Sequence, residues 1–276
     1  MPEPINPEKE KRIETLRIED FAKEIGLEPD EQGRFIFLPE HNELAFIYAE
    51  NFTRERDAQG IVIDGVASPG VIASLLHGAH PAEGYLLSFN KDTGESNRIK
   101  ILEPLPQKEG FGPDYLNWHK EEKEEYTLVE FNLSSNFNLE DLSKVIPPEI
   151  NPIKPVLISG RGPLYLTHTI AAAYRHYKGV PAVGFYQPAS KFGPAKTEIG
   201  ISHSDEYPLG MNFGAPEEIG KAKEVYKEKI ENKIKNLMGK IKEVGIEYFD
   251  VQGDYLKIKT KDGKNYLILI KNIIED

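Results

Sequence analysis

The spacing of apolar positions along this chain alternates between helical and strand-like periods, and the alternation divides it into three segments. Ile13, Leu16, Phe21, Ala22 and Ile25 fall roughly on one face of a helix predicted over residues 8–26, with Gly26 as its stop. Strands are predicted at Arg34–Leu38, Leu44–Tyr48 and Ile61–Ile63, and a short helix at Val71–Leu76 after Pro69 and Gly70. Tyr85–Phe89 and Arg98–Leu102 flank a turn-rich stretch and read as a hairpin. Together these make an N-terminal α+β domain, residues 1–118. Pro104, Pro106, Gly110, Gly112 and Pro113 punctuate the loop that closes it, and the charged run from His119 to Glu125 reads as solvated linker.

The second segment, residues 125–213, runs strand (Thr127–Leu133), short helix (Leu139–Val145), strand (Pro155–Ser159), apolar helix (Leu164–Tyr177), strand (Ala182–Tyr186) and strand (Thr197–Ser202). That order predicts an α+β sandwich with helices on one side of a sheet. Between its last two strands lies a stretch rich in proline, glycine and small residues, expected to be an exposed loop open to proteolysis. Its candidate cleavage residues are Gln187, Ser190, Lys191, Gly193, Pro194, Ala195 and Lys196. The third segment, residues 214–276, opens with a helix entered at Ala215 and Pro216, carries an apolar seam from Ile219 to Val244, and ends in a three-strand meander at Tyr248–Val251, Tyr255–Thr260 and Asn265–Ile270. One helix outruns so small a sheet, so part of its seam is expected to meet another protein.

Composition narrows the chemistry. A net charge of −11 argues against general nucleic-acid coating, which needs clustered Lys and Arg, but leaves room for a short anionic ligand in one pocket. The absence of cysteine excludes disulfides, thiolate catalysis and Cys-based metal sites. No apolar run approaches the roughly 20 residues of a membrane helix, and the N-terminus lacks the basic start and apolar core of a secretion signal, so a cytoplasmic location without a membrane partner is expected. No Walker loop, dinucleotide fingerprint or other cofactor motif is present.

The most informative stretch is Val156–Pro163. An apolar strand enters a turn of Ser159, Gly160, Arg161 and Gly162, and a helix follows with Pro163 in its first turn. Glycines on both sides of Arg161 free the backbone to aim N–H groups at one point, and the helix start adds partial positive charge, so the turn is suited to an anion such as phosphate. The plain alternative is a tight turn with Arg161 paired to a surface acid. His168, His176 and His203 could gather near the turn as general acids or bases, or serve as packing histidines. His77 and His80 have no third ligand at suitable spacing, and no metal site is expected.

Residues 125–213 resemble CRISPR-associated ring nucleases of the Csx-three type, which cleave the cyclic tetra-adenylate messenger of type III systems. The matching stretches are Tyr126–Phe131, Val156–Leu166, Ala171–His176, Pro181–Pro188 and Ile201–Ser204. The resemblance implies a ferredoxin-like central domain that tends to pair, with Ser159 and Arg161 where ligand phosphates are held. It also implies an aspartate after the strand that here ends in Gln187, and an amide cannot ionise. The domain therefore reads as degenerate, without catalytic residues; if it is active, His176 and Arg161 are the candidates. The three-segment arrangement is similar to adaptors that partner a CRISPR-associated Lon protease and an extracytoplasmic-function (ECF) sigma factor. On that likeness the protease, switched on by cyclic tetra-adenylate, cuts the Gln187–Lys196 loop and frees the sigma factor, with residues 1–195 expected to grip the sigma factor and 214–276 the protease. Two alternatives stand beside this: an active ring nuclease, and a MazF-type ribonuclease relative whose N-terminal unit supplies a small barrel.

Overall fold

The computed structural model describes residues 11–89, 94–189 and 194–216, together with the backbone of three strands between residues 246 and 269. The architecture is α+β, consistent with a ferredoxin-like plan. A four-stranded sheet is built from β1 (Ile13–Arg17), β2 (Gly60–Asp64), β3 (Glu83–Phe89) and β4 (Ser96–Lys100) in that order. Its first two pairings are parallel and the last is antiparallel. Helices α1 (Ile18–Glu24) and α2 (His41–Arg56) lie between β1 and β2, and α3 (Pro69–Gly78) crosses from β2 to β3. The second sheet runs β5 (Leu116–Glu122), β6 (Thr127–Leu133), β7 (Val156–Gly160), β8 (Ala182–Gln187) and β9 (Lys196–Ser202), with α4 (Leu164–Arg175) crossing from β7 to β8. Here β6–β7 and β7–β8 are parallel and β8–β9 antiparallel. Thus β1–β4 repeats the order and sense of β6–β9, and α3 occupies the crossover that α4 occupies in the other unit.

Helices α3 and α4 pack on each other and join the two cores. Ala73 of α3 and Ile99 of β4 belong to the core around Val129, Ile158, Tyr174 and Phe185. Reciprocally, Leu164, Tyr165 and Ala172 of α4 pack on the core of Leu16, Phe21, Ile63 and Leu75. Polar contacts reinforce the seam where α2 and α3 meet β9. Ser74 Oγ donates to the Gly200 carbonyl at 2.9 Å, and Asn42 Nδ2 to that of Ile199 at 3.0 Å.

Several expectations change. The helix predicted over 8–26 is a strand followed by a short helix: Ile13 to Arg17 pair with Gly60 to Asp64, and only residues 18–24 coil. The β-branched Ile13 and Thr15 suit a strand, and pairing with the buried β2 outweighs a periodicity that fits either state. Leu44–Tyr48, read as a strand, lies inside α2, whose buried Ala45, Ala49 and Phe52 recur at helical spacing. Arg34–Leu38 joins no sheet, although Phe37 stacks on Phe21 with ring centroids 5.7 Å apart. The supposed linker at 119–125 is largely β5, whose charged residues suit the edge of the sheet. The N-terminal unit is an open sheet rather than a barrel. The C-terminal meander is present as β10 (Ile246–Gln252), β11 (Tyr255–Thr260) and β12 (Asn265–Leu269), while the helical seam from Ile219 to Val244 lies outside the described residues.

Candidate functional site

The Ser159–Pro163 turn forms as a strand-to-helix corner because Gly160 lies over an aromatic ring. Its φ is +156°, and a Cβ there would sit 2.5 Å from the Phe131 ring. Ser159 is buried, whereas Gly160, Arg161 and Gly162 are exposed. Pro163 is the N-cap of α4 rather than a residue of its first turn, and it supplies no side-chain cap. The first N–H groups of α4 therefore face the turn without a side-chain acceptor. Among the described residues Arg161 has no ion-pair or hydrogen-bond partner, so no described acid takes the place that the surface-acid alternative gives it.

The histidines do not gather at this turn. His168 is 2 % exposed, and burial pushes its pKa down to about 3; its ring packs near Phe185 as a neutral core residue. His176 and His203 meet at the far end of α4, with ring centroids 5.2 Å apart. The 12 residues of α4 place that end about 18 Å from its start, so Arg161 and His176 lie at opposite ends of one helix. There the α3 unit contributes His77, 4.8 Å from His203, and His80, 4.7 Å from His176. Arg175 is buried beside them, donating to the Leu76 carbonyl and to Glu103. Burial chiefly, with help from the Arg175 charge, lowers the pKa of His77 to about 4 and depresses those of His80 and His176. Among the described residues no group of three or more His, Asp or Glu is arranged to hold a metal ion. The spacing of His77 and His80 was visible in the sequence; their partners from the other unit were not.

A third arrangement surrounds the β8–β9 connection. Pro188, Ala189 and Pro194 are exposed, while Ser190, Lys191 and Gly193 lie outside the described residues. Gln187 and Lys196 form the last rung of the β8–β9 ladder, and Ala195 stands next to it, half-buried. Behind that rung is Glu198, a carboxylate only 1 % exposed that sequence reasoning missed. Gln187 Nε2 donates to its Oε1 at 2.6 Å, Ser68 Oγ donates to the same oxygen at 3.1 Å, and Lys196 Nζ lies 2.8 Å from Oε2. Ser68 is the N-cap of α3, and Gly70 in its first turn leaves the room: a Cβ there would stand 2.5 Å from Glu198 Oε1. Gln187, Pro188, Pro194 and Lys196 also line a cleft of about 830 Å³, whose apolar wall includes Phe35 and Phe37.

Residues 130–210 match the family model described as CRISPR-associated protein (Cas_csx3). The match runs from within β6 through the glycine turn, α4, β8, the connection and β9, and covers less than a third of the chain. No described helix is long and apolar enough to cross a membrane. The central part of this chain is therefore similar to the Cas_csx3 family of CRISPR-associated proteins.

Proposed function

We propose that this chain is a CalpT-like regulatory adaptor of type III CRISPR signalling. It holds a CalpS-like ECF sigma factor through residues 1–195 and docks on a CalpL-like Lon protease through residues 214–276. Cyclic tetra-adenylate activates the protease, which cuts the connection between Gln187 and Lys196, and the sigma factor is released. The reading is carried by the setting of that connection: Pro188, Ala189 and Pro194 stand exposed where it leaves and enters two buried strands of a Csx3-like unit, and its sequence is rich in the small residues a protease cleft accepts.

Glu198 gives a physical reason for the amide at 187. A carboxylate in place of Gln187 would stand against the buried Glu198 oxygen that the amide now serves as donor. A scaffold that seats Glu198 at α3 thus favours a neutral donor where the ring nucleases carry an acid. The ring-nuclease alternative draws support from Arg161, which pairs with no described residue beside a start of α4 without a side-chain cap, but His176 is a helix length away. Mass spectrometry after incubation with the Lon protease and cyclic tetra-adenylate tests the proposal. A single cut between residues 187 and 200, with loss of the sigma factor, is expected. An intact chain, or brisk opening of the messenger by this chain alone that Arg161→Ala abolishes, overturns it.

A further inference from the structure

The two ends of the β8–β9 connection hold one buried charge. Gln187 is the last residue of β8 and Lys196 the first of β9, and both contact the Glu198 carboxylate. The remaining partner, Ser68, belongs to the other unit, where it also accepts the Val71 N–H and so caps α3. A carboxylate this deeply buried is stable only while its counter-charge and donors stay in place. The Gly70 backbone lies close enough for the carboxylate to share the positive end of α3.

We infer that Glu198 is a latch that couples the integrity of the β8–β9 connection to the seating of α3 between the two units. The Gln187–Lys196 rung is the terminal one of its ladder, with only the connection beyond it. While the connection is whole, each strand end restrains the other. Once it is severed, the terminal rung frays first, and Lys196 carries its ammonium out to solvent. Glu198 is then left with Ser68 and a helix end, and the imbalance falls on the N-terminal turn of α3. A local cut at the surface in this way loosens the packing between units. The inference rests on the proposal that this connection is cut, and it adds how the cut is transmitted.

The experiment uses the full chain with a recognition sequence for an unrelated site-specific protease replacing residues 190–193. Amide hydrogen exchange is followed in the peptide spanning residues 68–78, before and after cutting. With Glu198 present, cutting should accelerate exchange there by roughly tenfold or more; in Glu198→Gln, whose neutral amide needs no cation, by less than about twofold. The uncut Lys196→Met chain, which keeps the connection but removes the cation, should already exchange nearly as fast as the cut parent. Equal acceleration with Glu198 and with Gln, or an uncut Lys196→Met chain that exchanges like the uncut parent, overturns the inference. If Glu198→Gln does not fold, the Lys196→Met comparison decides alone. Failure of the Lon protease to cut the natural chain would sink the proposed function without touching this result, because the cut here is made by another enzyme.

Discussion

Gln187 and Glu198 show how much one buried oxygen can dictate. The amide donates at 2.6 Å to a carboxylate that is 1 % exposed, and Gln187→Glu, the acid of the same length, would replace that donor with a second negative charge. The expected cost at neutral pH is about 3 kcal/mol, the size of an uncompensated charge in a buried pair. Two carboxylates in contact hold a shared proton more tightly than either would alone. The deficit relative to the parent should therefore shrink as pH falls from about 7.5 to 5, and thermal unfolding at both values measures it. The glycine turn was legible in the sequence because its chemistry is local: glycine, arginine and proline in a row after an apolar strand. Glu198 was not legible, because a charged residue within Lys-Thr-Glu-Ile-Gly reads as solvent-facing. It is buried by tertiary neighbours, Gln187 across the ladder and Ser68 and Gly70 at the start of α3.

The same contrast between local and distant causes separates the elements that follow the sequence from those that do not. Strands β7, β8 and β9 and helix α4 lie where they were predicted, because each has a strong period and turn residues at its ends. Residues 13–17 carry no such local mark. Their strand exists because Gly60–Asp64 offers a parallel partner, and Leu16 is fully buried in that arrangement. Leu16→Ala is accordingly expected to cost about 3 kcal/mol through the transfer and cavity losses of a core leucine, read as a lower midpoint in denaturant with an unchanged slope. An exposed position on a terminal helix would have given only a few tenths of that. Strand β5 was hidden in another way: its charged residues look like linker in one dimension and like a protected sheet edge in three.

At the scale of the whole molecule, the repetition of one strand order in two units escaped the sequence. Gly60–Gly65 and Val156–Gly160 share a pattern but few residues. Its physical trace is the junction, where α3 and α4 meet and His77, His80, His176 and His203 collect around Arg175 and Glu103. His77 is held neutral, with its pKa lowered by burial to about 4 from an ordinary 6.5. Between those two values the unfolded chain binds a proton that the folded chain does not, so stability falls as pH drops through that window. The loss levels off below about pH 4 and amounts to something on the order of 3 kcal/mol for this group. Unfolding followed from pH 7 to 4 should show the decline, and His77→Phe, which has nothing to protonate, should flatten part of it.

The anchoring of β9 bears on what a break in this chain accomplishes. Its carbonyls at Ile199, Gly200 and Ser202 are met by Asn42, Ser74 and His77, and its other side is laddered to β8. A nick at the connection therefore leaves two polypeptides still seated on one another rather than two free pieces. What changes is the order of the reaction: reseating, formerly intramolecular at an effective concentration on the millimolar scale, becomes bimolecular and subject to dilution. The lower the cellular abundance of the protein, the more complete the consequence of a single broken peptide bond.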